Sequence, residues 1–300
     1  MLPEPLNTFK KKPVLALYAL GVLLLLAGAG VWWFKLSVNP ERVFWGTLEQ
    51  SLSTRAVTIE AQQKSNGSSM RQVMQYSMGA QNMTHSVTTL QQGKTTIVNE
   101  LIGTPEADYT RYLNVQTDQK GKTGRPLDFS HILGVWAKGQ SKGQLFSQGV
   151  LGVGLPLGGV AIPIGNFDQA TRHKLIQEIK NDVVYQTAFT AVKKQTVGGR
   201  LQYVYDVSVQ PVGYANLMQH FAQAVGLHDL DGLDPSSFKG QQALRMLLTV
   251  DVRARHVVAA QVVSTGDKQT YSSYDIPVSI SVPKNAIGVQ ELQQRLSQLQ

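Results

Sequence analysis

Cysteine is absent from the 300 residues, which removes disulfide-stapled folds and lipidation at a lipobox cysteine from consideration. Charge is also scarce. Only 16% of side chains are Asp, Glu, Lys or Arg, against about 25% in an average globular domain, while thirty residues are Gln. Ser, Thr and Gln therefore cover surface that Lys and Glu usually cover, a balance that suits a domain outside the cytoplasm. Aromatic and β-branched residues are not in short supply, so collagen-like and wholly disordered chains are excluded. A length of 300 residues and 42% apolar content allow one large domain or two modest ones.

The net charge is +8 at a pI near 9.5. Beyond the N-terminus the basic residues are scattered, with no cluster larger than Lys193-Lys194, so the chain carries no nucleic-acid footprint.

Lys10, Lys11 and Lys12 precede Val14 to Phe34, twenty-one residues without a charge and densest at Leu23 to Leu26. At about 1.5 Å per residue such a helix crosses the roughly 30 Å hydrocarbon core of a bilayer. Trp32 and Trp33 fall where an interfacial aromatic belt lies, and the lysines put the N-terminus in the cytoplasm. A single-pass anchor is expected, with the remaining 266 residues extracytoplasmic. The competing reading is a signal peptide cut after Ala29, since Ala27-Gly28-Ala29 has the small-x-small pattern. Removing residues 1–34, with three Lys and Glu4, leaves 28 − 3 = 25 basic and 20 − 1 = 19 acidic side chains, a mild +6.

Downstream, Asn39-Pro40-Glu41 is an N-cap, a first-turn proline and a first-turn acid. Val43, Phe44, Leu48 and Leu52 continue at helical spacing. Five strands are expected at 56–63, 69–78, 83–91, 95–102 and 108–115, joined by turn dipeptides such as Asn66-Gly67 and Gln92-Gly93, as in an antiparallel meander. A helix at 168–181 follows, then strands at 183–191 and 201–210 and a helix at 214–225 stopped by Gly226. Strands are next expected at 244–252, 257–264, 269–274 and 278–282, the last alternating apolar and polar throughout. A short helix at 289–299 carries Leu292, Leu296 and Leu299 as one stripe. The division expected is a cytoplasmic tail 1–13, an anchor 14–34, an α+β domain 35–288 and the amphipathic helix 289–300.

Two regions bear on function. Met70, Met74 and Met78 fall on one face of a strand with Met83 just past the turn, an adaptable surface for an acyl chain; filling a core is the competing role. Residues 143–167 carry no charge and are interrupted by Pro156, Pro163 and glycines, so they form no second span. They pack inside, touch the bilayer or cover something apolar, and Leu151 and Leu155 join the four methionines as candidate pocket residues.

Catalytic motifs fail on inspection. Gly139-Gln140-Ser141-Lys142-Gly143 matches a nucleophile elbow but lacks a parallel sheet. Ser236-Ser237-Phe238-Lys239 lacks its partner motifs, and Gly93-Lys94-Thr95 lacks the first P-loop glycine. The six histidines form no ligand pair, so neither a metal nor another cofactor is expected, and His228 with Asp229 and Asp231 reads as a solvated loop. No enzyme is expected.

The order of elements resembles the bacterial lipoprotein-carrier superfamily, LolA/LolB and LppX/LprG-like proteins, over residues 40–285. The Tyr-rich strand Leu201-Gln-Tyr-Val-Tyr-Asp206 before a helix and the closing run from Tyr271 to Pro283 carry that likeness. It implies a curved, incompletely closed antiparallel sheet, a half-barrel wrapped around a few helices, enclosing an apolar cavity. Carriers of this kind are soluble or lipidated through a cysteine, whereas this chain is expected to be tethered by a helix. The expected partners are membrane lipid, an apolar ligand and, on the alternative reading of a non-enzymatic assembly subunit, an envelope protein docked through the sheet or the C-terminal helix.

Overall fold

Helix α1, Pro40–Ser51, starts where its cap is written: the Asn39 side chain accepts from the Arg42 N–H at 3.1 Å, with Pro40 in the first turn and Glu41 beside it. Its apolar stripe buries Val43, Phe44 and Leu48, and Leu52 closes the C-terminal end. The computed structural model describes residues 38–65, 67–78, 82–121, 124–139, 162–226, 230 and 232–298. The span expected at 14–34, residues 140–161 with Leu151 and Leu155, and His228, Asp229, Asp231 and Leu299 lie outside the described residues. No helix among the described residues is long and apolar enough to cross a membrane.

Five strands follow α1: β1 Ala56–Ser65, β2 Ser68–Met78, β3 Asn82–Gln92, β4 Thr95–Gly103 and β5 Asp108–Gln116, each antiparallel to the next. Gly67 and Gly93, both at positive φ, reverse the chain at two of the hairpins. The short β6, Ala137–Lys138, pairs with β5. After helix α2, Gln169–Asn181, come β7 Tyr185–Thr187, β8 Lys193–Val197 and β9 Arg200–Val209. Helix α3, Pro211–Ala224, and β10 Leu244–Asp251, β11 His256–Val262 and β12 Lys268–Ser272 complete the second meander. The chain ends in β13, Ile287–Gly288, and α4, Val289–Ser297.

Among the described residues, thirteen strands form one open, curved sheet in the order β13-β6-β5-β4-β3-β2-β1-β12-β11-β10-β9-β7, with β8 also on β9. Of these strands only β13 and β6 pair in parallel. The two meanders meet at a single seam, where β1 pairs with β12 from Thr58↔Ser272 to Gln62↔Lys268. The fold is α+β, as expected.

The helices pack on one face of this sheet, here the inner face. Phe44 sits among the rings of Trp45, Tyr185, Phe189 and Tyr205 at 5.3–6.3 Å between centroids, in edge-on and tilted contacts. Helix α3 starts tightly against the end of α2: a Cβ on Gly213 would lie 2.4 Å from the Asp182 carbonyl oxygen, so the position admits no larger residue without movement. Two buried tyrosines of β9 tie down the start of α1. The Tyr203 hydroxyl donates to the Val38 carbonyl at 2.6 Å and that of Tyr205 to the Pro40 carbonyl at 2.8 Å.

Two expected strands differ. Residues 183–191 form a strand only over Tyr185–Thr187, then a 3-10 turn at Phe189–Ala191. Both β7 and β8 lie on the same edge of β9, against Val207–Val209 and Arg200–Val204, so the chain must step off the sheet between them. That step carries Phe189 to Phe44. Residues 278–282 join no ladder. They lie on the outer face, where Ile280 packs, as Trp136 does, against the cluster of Ile102, Ala107 and Tyr109. Their alternation reflects a chain half-buried on one side, which needs no hydrogen-bonded neighbour.

The phenol–carbonyl bonds are buried and should matter more than exposed charge pairs such as Arg245–Asp206. Replacing Tyr203 and Tyr205 together by Phe keeps the rings and removes two bonds, so stability to urea should fall by about 1–3 kcal/mol. Arg245→Ala should change it by less than about 1 kcal/mol.

Candidate binding face

Directly opposed residues in antiparallel strands share a face, so the registers define rows across the inner surface. One row is Tyr271, Ile59, Met74, Ser86, Leu101, Thr110 and Ala137. The next is Gln269, Ala61, Gln72, Thr88, Asn99 and Tyr112. A third is Gln63, Met70, Leu90, Ile97 and Val115. An apolar row thus lies on each side of a row of amides and hydroxyls.

These rows are filled unevenly. At the β1–β2 end, Ile59, Ala61 and Met74 belong to the main core, with Met70 packed at its rim. At the β5–β6 end a second cluster joins Ile132, Ala137 and Leu292, with Tyr112, Phe129, Ile287 and Leu296 around it. Between them, on β3 and β4, Ser86, Thr88, Ile97, Asn99 and Leu101 are half-buried and Leu90 is 36% exposed. None of these belongs to either cluster among the described residues.

The methionines separate accordingly. Met74 and Met78 are 3% and 1% exposed and fill the core. Met70 is half-buried on the same face. Met83 opposes Ser77 and so belongs to the outer face, where it borders a cleft of about 340 Å³ with Tyr109, Lys138 and Val282. It cannot share a pocket with the other three. The period of two that groups Met70, Met74 and Met78 does not carry across the β2–β3 turn, because the face taken after a turn depends on its length. Leu151 and Leu155 lie outside the described residues; Ile162 and Ile164, nearer the end of the same uncharged run, are buried in the core.

The polar row contains two orphan groups. Gln269 is 5% exposed; its Oε1 accepts from the Tyr271 hydroxyl at 2.8 Å, while its Nε2 has no partner. The buried Oε1 of Gln72 likewise has none. Burial pushes the phenols of Tyr76, Tyr185 and Tyr271 up, so at neutral pH they are uncharged hydrogen-bonding groups.

The outer face carries an ionic chain that scattered sequence positions did not announce. The Nε2 of His85 lies 2.7 Å from Glu100 Oε1, Arg111 Nε donates to Glu100 Oε2 at 2.5 Å, and the guanidinium stacks 4.5 Å above Trp136. Burial alone would raise the Glu100 carboxyl, but the hydrogen bonds from His85 and Arg111 outweigh it and hold the group below its ordinary value of 4.5. Its oxygens are taken, so this is a cross-strand tie.

The sequence motifs resolve as structure. Ser236 and Ser237 lie in a 3-10 turn capped by Asp234, to which both donate, and Gly93-Lys94 makes a hairpin turn. Most of the 139–143 motif lies outside the described residues. No group of three metal-ligating side chains occurs among the described residues. Leu292 and Leu296 of α4 face the chain's own second cluster.

No protein-family model matches the sequence, and no curated protein matches it. Among solved structures, the chain is similar to the crystal structure of LprF from Mycobacterium bovis. The TM-score is 0.43 and the identity 10%, with 81% of this chain and 96% of that chain covered.

A depressed carboxyl contributes stability that is present above its unfolded value and lost as pH falls through the folded one. Glu100→Gln should therefore lower stability by about 1–3 kcal/mol at pH 7. The gap from wild type should close as the pH drops below 4.5; equilibrium unfolding at a series of pH values measures it.

Proposed function

We propose that this protein is a membrane-tethered, non-enzymatic module of the cell envelope that holds a lipid or other apolar ligand against the inner face of its sheet. The observation that carries the reading is the stretch over β3 and β4, where Leu90, Ile97 and Leu101 stand between two packed clusters and belong to neither among the described residues. Apolar side chains left half-covered on an otherwise packed face favour contact with apolar matter. The tether rests on the uncharged run 14–34 behind three lysines. Tyr203 and Tyr205 support it by holding the backbone at Val38 and Pro40, close along the chain to the end of that run.

A second reading, an assembly subunit that docks envelope proteins, draws on the filled core around Met74 and Met78. It also draws on β8, every residue of which is exposed on a sheet edge. Lys193 and Lys194 on that strand discourage unselective strand addition.

Full-length protein purified from membranes in mild detergent should carry lipid detectable by mass spectrometry of an organic extract. Leu101→Arg should remove that lipid while leaving the thermal melt close to wild type; lipid-free wild type, or equal lipid in both proteins, refutes the ligand reading. Protease added to spheroplasts should digest the domain and spare residues 1–12. Cleavage confined to those first residues would reverse the orientation.

A further inference from the structure

The inner face contains a site for a neutral hydroxyl between Gln72 and Gln269, we infer, a feature independent of whether the face also holds an apolar chain. The two residues flank Ala61 in register, one from β2 and one from β12. At about 4.8 Å between neighbouring strands their backbones stand roughly 10 Å apart. Ala61 between them contributes one methyl and is itself buried in the main core.

The chemistry of the vacant valences is specific. The unpartnered atom of Gln72 is an oxygen, which can only accept; that of Gln269 is an amide nitrogen, which can only donate. With the Tyr271 hydroxyl donating to Gln269 Oε1 at 2.8 Å, the amide nitrogen is the end left over. One O–H group answers both, donating to Gln72 Oε1 and accepting from Gln269 Nε2. A carboxylate or phosphate would set its charge against the Gln72 oxygen. An ammonium would do the same to the Gln269 N–H. The row offers no countercharge to either, its other members being Ala61, Thr88, Asn99 and Tyr112. Two buried groups without partners each cost stability, and a bridging hydroxyl removes both costs at once. The oxygen can come from an alcohol on a ligand or from a bound water.

A double-mutant cycle tests the bridge. Gln72→Met, Gln269→Met and the double variant of the full-length protein are purified in lauryldimethylamine oxide, a detergent with no hydroxyl, and melted by circular dichroism. Each single substitution breaks the bridge and strands the opposite amide, so each should lower Tm, and the double variant should fall no further than the worse single. If either substitution raises Tm, leaves it unchanged, or if the two losses add, the site does not exist. The source of the oxygen is read on protein stripped of lipid by on-column denaturation and refolding. Coupling that persists there assigns the hydroxyl to water. Coupling that is lost, then restored by a diacylglycerol and not by its O-methyl ether, assigns it to a ligand alcohol. Coupling that is lost and restored by neither, or by both, overturns the hydroxyl assignment. None of these readouts depends on the lipid content of Leu101→Arg, so this site and the apolar-ligand reading can fail separately.

Discussion

One ladder, β1 against β12, makes a single body of two meanders. Thr58 and Ser272 are more than two hundred residues apart in sequence and directly opposed in the sheet. Without that seam each half would expose a long strand edge, and the helices would have half a surface to pack on. Its end is locked by Asp275, whose side chain accepts from the Arg55 N–H and whose own N–H donates to the Ala56 carbonyl, both at 2.8 Å. Closing a loop of this size is entropically costly before any contact compensates it.

Local chemistry made much of the fold legible in advance. The Asn39-Pro40-Glu41 start of α1, the hairpin turn at Gly93 and the Gly226 stop after α3 all depend on residues within a few positions of one another. The partner of β1 could not be read that way, because nothing in Thr58–Gln62 specifies Lys268–Ser272 over any other strand. The same limit explains Met83, whose face follows from the β2–β3 register, and residues 278–282, whose alternation is genuine but whose neighbour is a surface. His85, Glu100 and Arg111 are separated by fifteen and eleven positions, and only the ladders bring them together, in neighbouring rows of one face.

Of the candidate site, the sequence analysis identified Met70, Met74 and Met78 as one face, and the registers agree. It offered them as pocket candidates with core filling as the competing role, and Met74 and Met78 are buried in the core. The more informative residues were glutamines, which a scan for charged or nucleophilic chemistry passes over. The low charge and high Gln content reappear as an inner surface whose polarity comes from neutral amides and hydroxyls.

The phenols of Tyr203 and Tyr205 also define a mechanical path. Any pull on the backbone ahead of Val38 reaches the Val38 and Pro40 carbonyls, both gripped by one strand of the sheet, before it reaches the later turns of α1. Such a load is shared by β9 and its neighbours β8 and β10 instead of peeling the helix from its first residue, so the body can be dragged by its leading end without the helix unravelling.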